Sequence, residues 1–378
     1  MASPDLSGEA IFSRKKMNFM LRLLIMKHIP VLKNEVLEAF SYLKDVKNSF
    51  FVDGTLGLAG HSLAIAEQFK IQKIKFKIMG IDKDKTALRL AKENIENTGF
   101  INNFLFVHDD FKNIEEILKN LRHSRPDLES RNTTGKPTSW IPDLKLTVRD
   151  DESDNGSLMI NGALIDLGVS SMQLDDKKRG FSFSDPEAAL DMRMDQTQEL
   201  SAFDVLNYYP QLKLEKIFKE YGEEKFYKNI AKNICKDRKI KPIEKVGELL
   251  DILEISIPTK IRKTSKKHFA TGTFRALRLE VNQELTKLDT TLMNFINALK
   301  KGSRLAVISF HSTEDRIVKE TFRKAENPCV CPPLAPVCTC ENVSAVKIIT
   351  KKPIIPSDQE IAENPRSRSA KLRIIEKL

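Results

Sequence analysis

The chain has 378 residues, 41% of them hydrophobic, and its 62 Lys and Arg outnumber 52 Asp and Glu to give a formal net charge of +10. That length suits two domains or one domain with a large insertion, and the apolar fraction suffices for a packed core. No apolar run approaches the roughly 18 residues of a membrane span, which excludes a helical membrane protein, and the basic balance points to a polyanionic partner or to a generally lysine-rich composition.

Residues 1–27 read as an N-terminal extension. The stretch to Ala10 is small and polar, and Arg14 to Lys27 is basic and amphipathic. Asp5 and Glu9 argue against an organellar transit peptide, leaving import as the lesser reading beside a start at Met26. From His28 apolar runs alternate with helical spacing. Strands are expected at Ser49–Asp53, Phe76–Asp82, Asn103–Val107 and Ile160–Asp166. Helices are expected at His61–Phe69, Lys85–Asn97 and Phe111–Leu121. Such alternation implies a mostly parallel sheet covered on both faces. Residues 122–157 break the pattern with Pro, Gly, Ser and charge and read as a long disordered loop, with Trp140 inside it. Residues 177–263 show amphipathic helical spacing at Leu212–Tyr221, Glu224–Asp237 and Val246–Ser256 and no strand alternation, as an inserted helical domain would. The sheet domain, begun over 28–176, resumes over 264–378 with strands at Ser303–Phe310 and Ala370–Glu376.

Two features of the first part are what a nucleotide-like ligand needs. Phe51-Val52-Asp53-Gly54-Thr55-Leu56-Gly57-Leu58-Ala59-Gly60-His61-Ser62 takes a strand through a glycine-rich turn into a helix. Glycine lets backbone amides approach a ligand. The next strand ends in Asp82, whose carboxylate can accept from both ribose hydroxyls. Asp166, in Ile165-Asp166-Leu167-Gly168-Val169-Ser170-Ser171, stands at the end of the fourth strand. Ligands of open parallel sheets bind there, though acids also cap such turns.

Further along stand Arg179-Gly180-Phe181-Ser182-Phe183, Leu190-Asp191-Met192-Arg193, Tyr221-Gly222-Glu223-Glu224, Thr273-Phe274-Arg275-Ala276-Leu277-Arg278, Phe310-His311-Ser312-Thr313-Glu314-Asp315 and Asn364-Pro365-Arg366-Ser367-Arg368-Ser369. Together with His28-Ile29-Pro30-Val31-Leu32, this collinear set resembles the bacterial RsmH (MraW) family. Those enzymes methylate N4 of a cytosine in the decoding region of small-subunit ribosomal RNA. The resemblance implies an α/β fold of the class I S-adenosylmethionine-dependent methyltransferases, Rossmann-like, with an inserted all-helical domain. It implies S-adenosyl-L-methionine as cofactor. Ala59, Gly60 and His61 would line its methionine end, Asp82 would hold the ribose, Phe111 would sit near the adenine, and Asp166 and Gln173 would complete the pocket. The partner would be small-subunit ribosomal RNA or the assembled subunit, in the cytoplasm, with no membrane and with a homodimer allowed. Methylation of organellar ribosomal RNA, and an RNA-binding assembly factor without catalysis, are the competing readings.

The chain departs from the family in two places. Ala59 stands where glycine is frequent, and its methyl is tolerated at negative φ. Phe269-Ala270-Thr271-Gly272-Thr273-Phe274-Arg275 replaces a Pro-Ala-Thr-Arg-Thr-Phe-Gln pattern, moving a cation from position 272 to Arg275. Asp166 is the expected acceptor for the cytosine amine, and His311 a proton relay or a fold-stabilising hydrogen-bonder. Phe181 and Phe183 would stack on an extruded base or pack in the core. Basic clusters at Lys260, Arg262, Lys263, Lys266 and Lys267, and at Arg366, Arg368, Lys371 and Arg373, would meet phosphates, with Arg275 nearby. The chemistry requires no metal. Cys329, Cys331, Cys338 and Cys340, in a proline-bearing loop over 326–345, fit either tetrahedral zinc or a reactive thiol group.

Overall fold

A computed structural model describes residues 30–123, 158–264, 268–332 and 339–378. The expectations for residues 1–27, for 124–157 with Trp140, and for Lys266, Lys267 and Cys338 lie outside the described residues.

In chain order the elements are α1 (Lys33–Ala39), β1 (Asn48–Asp53), α2 (Gly60–Ile71), β2 (Lys75–Asp82), α3 (Lys85–Glu96), β3 (Phe104–His108), α4 (Ile114–His123), β4 (Ile160–Asp166) and α5 (Ser171–Asp175). Six helices follow: α6 (Ala202–Tyr208), α7 (Gln211–Glu220), α8 (Tyr227–Asp237), α9 (Val246–Ser256), α10 (Thr259–Thr264) and α11 (Thr271–Val281). The chain closes with α12 (Leu288–Ala298), β5 (Leu299–Ser309), α13 (Ser312–Glu326), β6 (Val346–Ile348), α14 (Asp358–Glu363) and β7 (Lys371–Lys377).

The seven strands form one sheet in the order β3-β2-β1-β4-β5-β7-β6. β1 to β5 pair in parallel, and β7 runs antiparallel to both β5 and β6. Parallel strands are buried on both faces, so they read as continuous apolar runs; all five residues of β1 after Asn48 are buried. Successive side chains still alternate between faces. Phe51, Ile78, Leu164 and Ile308 pack under α1, α2 and α3. Val52, Met79, Ile165 and Val307 pack under α4, α12 and α13. Strand order reverses between β1 and β4, and there a crevice opens at the carboxyl ends.

A third apolar core belongs to the helices between β4 and α12. It extends past position 263 and takes in Ala270, Phe274, Leu277 and Val281, so α11 packs with the helical body rather than with the sheet. Asn282, at the end of α11, binds the 192–194 segment of the same body: its Oδ1 accepts from Met194 N at 2.7 Å and its Nδ2 donates to Met192 O at 2.8 Å.

Candidate active site

The chain leaves β1 at Asp53 and turns through Gly54–Ala59 into α2. Gly57 takes φ +53°, a region glycine enters at little cost. Its N–H thereby reaches β2 and donates to Asp82 Oδ2 at 2.8 Å, while Asp84 N donates to Asp82 Oδ1 at 2.8 Å. Each carboxylate oxygen has two lone pairs, so Asp82 is fixed by the backbone and keeps capacity to accept from a diol. Asp53 is held in the same way by Thr55 N at 3.1 Å and by the Ser62 hydroxyl at 2.6 Å. Burial pushes both carboxyls up to about 6.

A cavity of about 420 Å³ lies over these strand ends. That volume falls in the ordinary range for small-molecule sites. Gly60, His61, Asp82, Phe111, Asp166 and Gln173 all line it. Gly60 and His61 open α2, and the first N–H groups of a helix lack intrahelical partners and favour an anion.

Ala59 does not line the cavity and corrects two expectations. Its side chain is 0% exposed in the core under α2, and its φ is +66°, not negative. A left-handed alanine costs about 1–2 kcal/mol, which burial of its methyl offsets only in part, at about 0.8 kcal/mol.

Asp166 closes the cleft at the end of β4. Its N–H donates to Thr55 Oγ1 at 2.7 Å, which sets the carboxyl between β1 and β5. Oδ1 is buried without a hydrogen-bond partner, and Oδ2 lies 3.9 Å from His61 Nδ1. Burial first, then the fields of Asp53 and Glu314, push this carboxyl up to about 8. Water at the open edge, where the side chain is 27% exposed, works against the full shift. His61 Nε2 lies 2.8 Å from Val31 O and donates to it, which leaves Nδ1 as the ring nitrogen turned toward Asp166.

Gln173 faces the cavity with both ends of its amide engaged. Oε1 accepts from Ser170 N at 3.0 Å in a capping box, and Nε2 donates to Asp84 Oδ2 at 3.0 Å. Asp84 also caps α3 and accepts from Arg179 Nη1 at 2.8 Å. These hydrogen bonds and the guanidinium of Arg179 hold the Asp84 carboxyl below the usual range in spite of burial. Gly180, at φ +69°, makes that placement possible, because a Cβ there would stand 2.2 Å from Ala189 O. Arg179 also donates to Met194 O at 2.8 Å.

Several expected roles fall elsewhere. His311 is absent from the cavity wall. It caps α13, with Nδ1 accepting from Glu314 N at 3.4 Å and Nε2 sitting 2.8 Å from Glu314 Oε1 at an angle poor for a hydrogen bond. Its neighbour Glu314 lines the cavity instead. Phe181 is 7% exposed and packs in the helical core beneath Arg179, so it offers no face to a base. Arg275 donates to Tyr221 O at 3.0 Å and to Gly222 O at 2.5 Å, so it binds α11 to the α7–α8 turn rather than meeting phosphate. Gly272 fits this arrangement, since a Cβ there would lie 2.9 Å from Gly222 O. Arg373 is buried against Asp315, with Nε donating at 2.6 Å, and Lys371 joins the same acid at 3.2 Å. Arg366 forms a two-pronged pair with Asp175 at the cavity rim.

Phe183 and Lys263 remain on accessible surface. Phe183 is half-buried and Lys263 exposed on α10. The Phe183 ring stacks on His268 at 4.3 Å and 12°, and His268 stacks on Phe269 at 4.4 Å and 29°. Thr55, Asp84, Arg179 and Glu314 were not expected as site residues. Asp84 had a sequence signal, an acid two residues after Asp82 at a helix start.

Strand order, parallel pairing and a glycine turn facing a strand-end acid define a class I S-adenosylmethionine-dependent methyltransferase. The residues fit that cofactor: the Asp82 carboxylate keeps acceptor capacity, and Asp166, whose Oδ1 has no hydrogen-bond partner, lines the same cavity. The sequence pattern of the MraW methylase family matches residues 25–378, and the chain belongs to that family. It is 40% identical over 352 residues to ribosomal RNA small subunit methyltransferase H of Finegoldia magna, covering 93% of this chain and 99% of that one. It is 41% identical over 351 residues to the protein of the same name from Clostridioides difficile, again covering 93% and 99%. Among solved structures it is similar to a SAM-dependent O-methyltransferase of Thermotoga maritima, with 9% identity, 94% of this chain and 69% of that chain covered, and a TM-score of 0.35. Among the described residues no helix is long and apolar enough to cross a membrane.

Proposed function

We propose that this protein methylates the exocyclic N4 of a cytidine in the decoding region of small-subunit ribosomal RNA. The observation that carries the reading is the Asp166 carboxyl, which lines the cavity, is 27% exposed there and keeps unused acceptor capacity, its buried Oδ1 having no hydrogen-bond partner. When bound, S-adenosylmethionine supplies a methyl group already activated by its sulfonium charge. The chain's task is then to place and prepare the nucleophile. The cytosine amine is a weak nucleophile because its lone pair is delocalised into the ring. Asp166 as carboxylate accepts one N4–H, which draws the nitrogen toward a pyramidal geometry and aims its lone pair. Alignment of this kind supplies several kcal/mol of a barrier. The amine loses one proton as it gains the methyl, and Asp166 takes that proton and passes it to water at the open edge.

The ionised form is the active one, so the pH dependence has a definite sign. With the carboxyl near 8 in the free protein, kcat/KM for subunits should rise with pH through that region and level off above it. A profile flat from pH 6 to 9 would remove Asp166 as the base.

RNA reaches the cleft past the helical body. Phe183, His268 and Phe269 form a stack on that body, with the Arg262 guanidinium 5.7 Å from the Phe269 ring centroid and Lys263 next to Arg262 on α10. Base stacking on aromatic rings is worth about 1–3 kcal/mol per base. Phe183→Ala should therefore weaken binding to small-subunit RNA about 5- to 150-fold and leave its salt dependence unchanged. Lys263→Ala should instead reduce the slope of log affinity against log salt by about one. Filter binding across a salt series separates the two, and unchanged affinity for both would move the RNA path elsewhere.

Tritiated-methyl transfer to purified small subunits, with Asp166→Ala as control, tests the activity itself. Incorporation by the native chain and none by the variant is expected. Binding to subunits with no transfer by either would favour the assembly-factor reading.

A further inference from the structure

Three cysteines unrelated to the cleft converge where the chain leaves α13 and returns to β6. The Sγ atoms of Cys329, Cys331 and Cys340 all lie within 4.8 Å of one another, and those of Cys329 and Cys340 are 3.8 Å apart. None of the three is in a disulfide, a bond that would hold sulfurs at about 2.0 Å. Four sulfurs around zinc at about 2.3 Å define a tetrahedron with edges of about 3.8 Å. Burial is the usual reason for a thiol's position, but Cys329 is exposed and the other two are only half-buried.

The surroundings are built for a thiolate. Thr339 N donates to Cys331 Sγ at 3.4 Å, the kind of backbone hydrogen bond that orients and stabilises a metal-bound sulfur. Asn342 Nδ2 donates to Pro328 O at 3.1 Å and holds the two arms of the connection together. Beyond it Ala345 N returns to Ala325 O at 2.9 Å, and Ile348 N to Glu326 Oε1 at 2.7 Å. The arms are thus anchored to the end of α13 before any ion is bound.

We propose that Cys329, Cys331 and Cys340 bind a zinc ion that staples the α13–β6 connection. Three thiolates in this disposition select a soft, tetrahedral ion over magnesium or calcium. Each thiol gives up its proton to solvent on binding. The ion is structural: it fixes the short edge strand β6 against β7. The proposal stands on the thiol geometry alone, independently of which nucleic acid the cleft serves.

The full chain, purified under reductant without chelator, should carry about one zinc per molecule by plasma mass spectrometry. Cobalt(II) loaded into the chelated, reduced chain should give the intense sulfur-to-metal charge-transfer absorption of a tetrahedral thiolate site. Its intensity reads whether three or four sulfurs bind. The paired substitution Cys329→Ser/Cys340→Ser should lose both signals, and chelation should lower the Tm of the native chain but not of that variant. A native chain that takes up neither zinc nor cobalt, with its thiols all open to a thiol reagent, would overturn the proposal even if the variant failed to fold. Zinc retained by the folded variant would overturn it too.

Discussion

Asp166→Asn should lower methyl transfer by about 10²- to 10⁴-fold, the range for loss of a positioned acid or base, and should also make the ligand-free protein more stable at alkaline pH. The two effects share one cause. In the folded chain this carboxyl is pushed up to about 8, far above the roughly 3.9 of an exposed aspartate. A raised carboxyl contributes fully below about pH 4, where folded and unfolded states are both protonated. Stability then falls as pH rises toward 8, because the unfolded chain ionises first, and is flat above. Asparagine has no such dependence. The variant should therefore gain on the native chain progressively from about pH 4 to pH 8, reaching about 2–4 kcal/mol after allowance for water at the open edge. Urea unfolding of both proteins at pH 5 and pH 9 measures the difference. Parallel pH profiles would mean that Asp166 is already ionised and solvated in the free cleft. A gain in stability on loss of activity is what a strained active site predicts.

Arg179→Met should destabilise the fold by about 3–5 kcal/mol, since removal of one member of a buried ion pair leaves the other charge uncompensated. Arg179 and Asp84 have side chains 8% and 3% exposed and meet at 2.8 Å. The same guanidinium holds Met194 O, and the same carboxylate holds Gln173 and the start of α3. The pair thus joins the helical body to the sheet directly beside the cofactor cavity. The expected signature is a lowered urea midpoint together with a raised KM for S-adenosylmethionine. Arg179→Lys should recover little, because a point charge cannot reach the partners that a planar fork spans. Asp84→Asn combined with Arg179→Met should cost less than the sum of the two single changes, and full additivity would show that the pair does not couple the two bodies.

Much of the sheet was legible from the chain. β1, β2 and β4 each end in an acid after a continuous apolar run, a pattern that parallel strands buried on both faces require. β5 starts at Leu299, four residues before the expected Ser303, because Lys300, Lys301 and Gly302 hide its first turn of pairing. β6 has three residues, too few for any periodicity. α12 carries a legible signal, since Leu288, Thr291, Leu292, Phe295 and Ile296 repeat at helical spacing.

Charge was the least readable property. Arg275 and Arg373 count as cations in a composition, yet their partners are carbonyls of the α7–α8 turn and the Asp315 carboxylate, 53 to 58 positions away. A sequence displays net charge but not the folded neighbour that consumes it. Asp84 and Arg179 are 95 positions apart and meet only through the fold. The positive φ of Ala59 was hidden for a different reason, since alanine gives no sign of a left-handed backbone.

Nucleoside mass spectrometry on small subunits treated with the purified protein and S-adenosylmethionine tests the central claim most directly. The account predicts N4-methylcytidine from the native chain and none from Asp166→Asn, with calorimetry showing that both bind the cofactor. A methyl group found on a ring carbon or a ribose hydroxyl, or full N4 methylation by the variant, would contradict it.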